Sequence, residues 1–206
     1  MIVVGTGIER AATPDEHPAY NWDKSTWRRR MLAARKAQPR AQHAKDAAAI
    51  TASVAALGGP GVTVCAYVPV GSEPGGQDML DALIATGSLV LLPIAREPGP
   101  LHWAAYSGTL VGAPYGLREP DGPHLEPDAV AAAAVVLVPA LAVDRRGVRL
   151  GRGAGFYDRT LRLVDPAATL AAVVRDEELV DRLPADGHDV PVRAALTPGS
   201  GLVTLG

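Results

Sequence analysis

The stretch from Val62 to Ile94 restricts the fold more than any other part of the chain. Its apolar run Val62 to Val68 predicts a strand, Pro69 to Gly76 a loop, Gln77 to Thr86 a helix and Ser88 to Ile94 a second strand. At this spacing the three elements form a βαβ unit, whose strands are expected to be parallel with a right-handed crossover. Ala134 to Val138, Thr169 to Val174 and Leu202 to Leu205 predict further strands, and Leu101 to Tyr106 a short one followed by a proline- and glycine-rich connection as far as Asp128. Phe156 to Val164 and Asp176 to Leu183 read as helices. The expectation is a three-layer α/β/α domain with an open, mostly parallel sheet. Ligands of such sheets gather at the carboxyl ends of the strands, which draws attention to Glu73 and to the residues after Val138.

Two helices are expected upstream: a basic one from Lys24 to Gln38, ended by Pro39, and an alanine-rich one from Arg40 to Leu57, ended by Gly58-Gly59-Pro60. Residues 1 to 22 show no sustained period and read as a loose extension with one short strand at most; 23 to 206 read as a single domain. With 48% hydrophobic but only 4% aromatic residues, the core must be built from Val, Leu, Ile and Ala. A net charge of −2 gives no general attraction to nucleic acid or to an anionic membrane. The lone Cys65 excludes an internal disulfide and, within an apolar strand, reads as a small core residue. No segment reaches membrane-spanning length, and the first residues lack a basic region ahead of an apolar one, so a cytoplasmic protein is expected. The five histidines lack the paired spacing of a zinc site, and no Ser-His-Asp set can be placed.

The run Val138 to Arg159 holds four glycines, five arginines and two aspartates in 22 residues, where a strand hands over to a helix. Glycine there lets backbone N–H groups approach a phosphate, the helix start adds its positive end, and Arg149 and Arg152 can fork onto phosphate oxygens. Gly151, Gly153 and Gly155 do not match G-x-G-x-x-G, because Phe156 stands at the third position, and no Gly-Lys-Ser/Thr follows. Taken alone, such a loop is also compatible with a plain surface connection. Lys24 and Arg28, at i and i+4, share a face that reads either as a solvated basic stripe or as an anion contact.

The longer pattern from Asp144 to Arg159, Asp-x-x-Gly-x-Arg-Leu-Gly-x-Gly-x-Gly-Phe-Tyr-Asp-Arg, resembles the signature of the 5-formyltetrahydrofolate cyclo-ligases. Lys24 to Arg28, Tyr67 to Glu73, Leu92-Pro93, Tyr115 to Pro120 and His188 to Pro191 follow in that family's order, so the resemblance covers the chain from about Lys24 onward. It implies a Rossmann-like (NagB/RpiA/CoA-transferase-like) fold. It also implies an ATP- and Mg2+-dependent monomeric enzyme that cyclises 5-formyltetrahydrofolate to 5,10-methenyltetrahydrofolate through a phosphorylated formyl group.

By that resemblance Lys24, Arg28, Arg149, Leu150, Gly151, Arg152, Gly153, Ala154, Gly155, Phe156 and Tyr157 contact ATP. Val68, Glu73 and Arg152 to Phe156 line the folate site, Arg152 and Tyr157 are catalytic, and Asp158 and Asp189 hold Mg2+. Ala154 stands where many relatives have lysine or glycine, Phe156 where tyrosine is usual, Arg193 where aspartate is common and Val143 where phenylalanine is usual. Two other readings stay open: a divergent relative that binds Mg-ATP with another pterin or small acid, and a non-enzymatic protein that binds polyanions through the Arg28 to Arg40 stripe.

Overall fold

The computed structural model describes residues 22–96 and 99–206. Apart from Trp22, the expected N-terminal extension and its short strand lie outside the described residues. Helices α1 (Lys24–Ala37) and α2 (Arg40–Val54) come first, Asp23 capping α1 by accepting a hydrogen bond from Thr26 N. Strand β1 (Thr63–Cys65), helix α3 (Gln77–Ala85) and strand β2 (Leu89–Ile94) follow, and β1 pairs with β2 in parallel as the sequence predicts. Strands β3 (His102–Ala105), β4 (Leu110–Gly112), β5 (Arg118–Pro120), β6 (Val135–Pro139), β7 (Ala142–Asp144) and β8 (Arg149–Leu150) lead to helix α4 (Phe156–Thr160). Strands β9 (Thr169–Val173), β10 (Leu179–Val180), β11 (Ala194–Thr197) and β12 (Gly201–Thr204) complete the described chain.

The central sheet runs β12-β11-β9-β6-β1-β2-β3, parallel except at its two edges. Alternate residues of its strands are buried on opposite faces, which is why the strands read as continuous apolar runs. Val64, Val90, Leu92, Val135, Leu137 and Val173 meet Ile50, Val54, Met79, Leu80 and Leu83 from α2 and α3. Cys65, Leu91, Val136, Val138, Leu170 and Ala172 face the other way, against Val130, Leu161 and Val192. The result is the expected three-layer α/β fold, its second covering layer made of short helical turns. Burial pushes the Cys65 thiol up to about 12, consistent with an inert core residue. Helix α1 stands apart from these layers, packing Trp27 on Leu141, Ala142, Leu150 and Leu183.

Three expectations need correction. Asp176 to Leu183 is not a helix but a single 3-10 turn, Asp176–Glu178, followed by β10 paired to β7. Its acidic side chains bond backbone instead of solvent: Glu178 accepts from Arg175 N and Asp176 from Gly199 N, which competes with helix formation, and Pro184 lies just beyond. The connection after Tyr106 is structured, containing the β4–β5 hairpin and a 3-10 turn at Pro127–Ala132. Finally, the glycine-arginine run begins as a β7–β8 hairpin rather than a loop. Fully buried Asp144 closes its turn by accepting from Arg146 N and Val148 N, and Gly147 at φ 84° presses so close to Val192 O that no side chain fits.

Candidate active site

Strand β8 delivers the chain into Gly151–Gly155, where Gly153 (φ 103°) and Gly155 (φ 74°) take left-handed conformations that turn the backbone sharply into α4. Helix α1 folds back onto this loop. Arg28 Nε donates to Gly151 O at 2.9 Å, and its guanidinium carbon lies 3.5 Å from where a Cβ on Gly153 would stand. The α-helix after the glycines is only five residues long, continued by a 3-10 turn over Leu161–Leu163, so its dipole adds little to anion binding. The positive charge here comes from side chains.

Two cavities share the glycine loop as a common wall, with Arg149, Gly151, Gly153, Gly155 and Asp158 facing both. The larger, about 320 Å3, has apolar walls that include Val68, Leu117 and Phe156, with Glu73, Arg152 and Tyr157 among its polar groups. The smaller, about 240 Å3, is bordered by Lys24, Arg28, Arg162, Asp186, His188 and Asp189. A flat apolar heterocycle suits the first and a polyanion the second.

In the smaller cavity each carboxylate is held by a cation. Lys24 Nζ donates to Asp186 Oδ2 at 2.8 Å and to Asp189 Oδ1 and Oδ2 at 2.9 and 2.7 Å. Burial works against both charges, yet these contacts raise the Lys24 pKa, and with the Asp186 N–H they lower that of Asp189. Arg149 Nη2 donates to Asp158 Oδ1 at 2.5 Å. Burial pulls the Arg149 pKa below its ordinary value and Asp158 opposes this; an arginine so placed remains charged. Its Nε is buried without a hydrogen-bond partner among the described residues, on a side chain that borders both cavities. Asp186, His188 and Asp189 each place one ligand atom within 4.8 Å of the others.

In the larger cavity Glu73 is buried. Its Oε2 accepts from Val70 N at 2.9 Å and its Oε1 from Arg152 Nε at 3.0 Å. Burial raises the Tyr157 pKa, so its hydroxyl stays protonated and serves as a donor rather than a base. Phe156 lines this cavity, with the Arg159 guanidinium 5.4 Å from its ring centre. Arg193 lies outside both cavities, donating to Pro166 O and Ala168 O, and Val143 is buried in the core.

All the candidate residues therefore converge on one double cavity. Two expectations change in detail: Arg149 is committed to Asp158 rather than free to fork, and Lys24 is paired with two aspartates rather than left to solvent. The basic stripe is also less solvated than its composition suggests. Arg35 is buried against Glu178 and Arg30 stacks 3.9 Å from the Trp22 ring centre, while Arg29, Arg30, Lys36 and Arg40 stay exposed. Sequence reasoning missed the Arg35–Glu178 pair, Asp186 and Arg118, which lines the larger cavity. For Arg35 a signal existed: Arg28 and Arg35 are seven apart and share a helix face.

Residues 21–198 match the model of the 5-formyltetrahydrofolate cyclo-ligase family. A 5-formyltetrahydrofolate cyclo-ligase of Mycolicibacterium smegmatis is 51% identical over 188 residues, which is 88% of this chain and 97% of that protein. One from Escherichia coli is 30% identical over 141 residues, 66% of this chain and 78% of that protein. Among solved structures, the 5,10-methenyltetrahydrofolate synthetase of Aquifex aeolicus superposes with a TM-score of 0.71 at 23% identity, covering 88% of this chain and 92% of that one. That of Mycoplasma pneumoniae gives 0.67 at 19% identity, covering 84% and 98%; both show the same fold. With a family match across most of its length and a relative identical at half of the aligned positions, this chain is an enzyme of the 5-formyltetrahydrofolate cyclo-ligase family.

Proposed function

We propose that the chain joins the N5-formyl group and N10 of 5-formyltetrahydrofolate into the 5,10-methenyl bridge, with ATP converted to ADP and phosphate. The supporting observation is the pair of adjoining cavities, one apolar with a buried carboxylate and one cationic, separated only by Arg149 to Asp158. A formamide oxygen is a poor leaving group. Transfer of the γ-phosphoryl group to it gives an iminium phosphate, N10 attacks the carbon and gives up its proton, and phosphate leaves. The work of the protein is positioning and charge stabilisation.

Glu73 accepts hydrogen bonds from the pterin amino and ring N–H groups while Val68 and Phe156 flank the ring. Lys24, Arg28 and the Gly151 to Gly155 backbone take the phosphates. Arg152 and the unpartnered Nε of Arg149 face charge that builds on the transferring group, and the Tyr157 hydroxyl donates at the formyl oxygen. Asp158 and Asp189 have the hard oxygen donors that magnesium prefers, so the residues fit that ion. Magnesium, when bound, neutralises phosphate charge. Asp158 and Asp189 would hold the ion, and Arg149 and Lys24, which pair with them here, would then be left to the phosphate oxygens.

The test is a spectrophotometric assay for methenyl formation in which ATP, Mg2+ and folate are omitted in turn. Product is expected only in the complete mixture. No product from folded protein, or product without ATP, would overturn the reading; turnover of ATP with another pterin alone would favour the divergent relative. Within the same assay Lys24→Ala is expected to raise the KM for ATP about tenfold, as for loss of a charge-assisted contact, with the folate KM little changed. Lys36→Ala, on the exposed side of α1, should do nothing. Equal effects at the two positions would mean that helix charge in general, not a docked phosphate, explains the basic face.

A further inference from the structure

Arg175 is a long cationic side chain, 2% exposed, just past the carboxyl end of β9. Its Nη2 donates to Ser72 O at 3.1 Å, and Ser72 immediately precedes Glu73. Burying a guanidinium is costly, and ending it on a loop carbonyl makes sense only if that carbonyl must stay in place. The surroundings brace Arg175 itself. Its own N–H donates to Glu178 Oε2 at 2.9 Å, and the same carboxylate receives Arg35 Nε and Nη2 at 2.6 and 2.7 Å. Arg35 Nη2 also donates to Ala140 O at 2.6 Å, which ties this buried cluster to the end of β6.

The loop from Pro69 to Gly75 has few other anchors. Tyr67 OH donates to Pro74 O at 2.6 Å, and Glu73 folds back on Val70 through Glu73 N to Val70 O and Val70 N to Glu73 Oε2. The last two contacts move with the loop. Arg175 and Tyr67 therefore fix the backbone from outside the loop on either side of Glu73, while Arg152 meets the carboxylate itself. We propose that Arg175 is a positioning residue for substrate recognition: it sets the Glu73 loop, and through it the affinity for the folate ring system, without touching substrate or taking part in phosphoryl transfer. This rests on the reading of Glu73 as the pterin contact.

The experiment compares steady-state constants for wild type, Glu73→Gln, Arg175→Met, Arg175→Lys and Arg145→Gln, with amide hydrogen exchange as a second readout. Arg145→Gln is the control, an exposed arginine paired only to exposed Asp181 in a 3.3 Å contact. Arg175→Met is expected to raise the KM for 5-formyltetrahydrofolate about tenfold, the usual scale for one charge-assisted hydrogen bond, with kcat and the KM for ATP near wild type. Amides of Val70 and Glu73 should exchange faster while those of α2 do not. Arg175→Lys keeps the buried charge on a stem without the planar fork and should fall between the two; it decides the matter if the methionine variant does not fold. An unchanged folate KM in both Arg175 variants, or a rise in both substrate KM values that follows the loss of melting temperature, overturns the proposal. If Glu73→Gln itself leaves the folate KM unchanged, the pterin contact is wrong and the proposal falls with it. A raised folate KM in Glu73→Gln with none at Arg175 overturns this proposal alone.

Discussion

Arg152→Ala is expected to lower kcat by on the order of 100-fold, the effect of removing one preorganised donor from a developing charge. Arg152 stands between two loop glycines, 52% exposed, and reaches across the larger cavity to Glu73. Two roles fit that placement. If its task is to stabilise the transferring phosphoryl group, kcat falls and Glu73→Gln does not reproduce the defect. If it only holds Glu73, the two variants share a raised folate KM and kcat survives. The first outcome is expected, because Arg152 lines the larger cavity between Gly151 and Gly153, which face both cavities, and Glu73 also accepts from the Val70 N–H. The melting temperature should barely move, since a half-exposed ion pair contributes little to stability. Measuring kcat, both KM values and thermal unfolding for the two variants decides between the roles.

What the sequence reveals and what it hides divides along contact distance. The parallel βαβ unit is legible because its signal is local: an apolar run, a loop, an amphipathic helix, another run. Strand β11 is not, because its Ala-Ala-Leu-Thr offers a single β-branched residue and no aromatic one; it is a strand because it slots beside β9 and is buried throughout. The glycine-arginine signature marks a wall shared by two cavities, yet it says nothing about the partner of each charge. Lys24 meets aspartates 162 and 165 residues away, and Arg152 meets Glu73 across 79. Residue type and spacing identify which groups carry charge; only the fold shows that the cations and carboxylates of the smaller cavity already hold one another.

The largest stability effect is expected at Glu178, 143 residues from its partner Arg35. The two side chains are 1% and 3% exposed, so Glu178→Ala would leave the Arg35 guanidinium buried with only the Ala140 carbonyl, and Arg175 N without its acceptor. Stranding one charge of a buried pair costs about 3–5 kcal/mol. For a domain of this size that corresponds to a fall in melting temperature of roughly 10 °C, readable by calorimetry. Replacing both partners with apolar residues, Arg35→Met with Glu178→Leu, removes the stranded charge and should recover most of the loss. Activity should not recover in parallel. Arg35 ties α1 to the end of β6, and α1 carries Lys24 and Arg28 to the glycine loop, so the stabilised double variant should keep a raised KM for ATP. Recovery of both stability and ATP affinity would mean that the Trp27 packing alone holds α1 in place and that the buried pair has no part in aligning the nucleotide contacts.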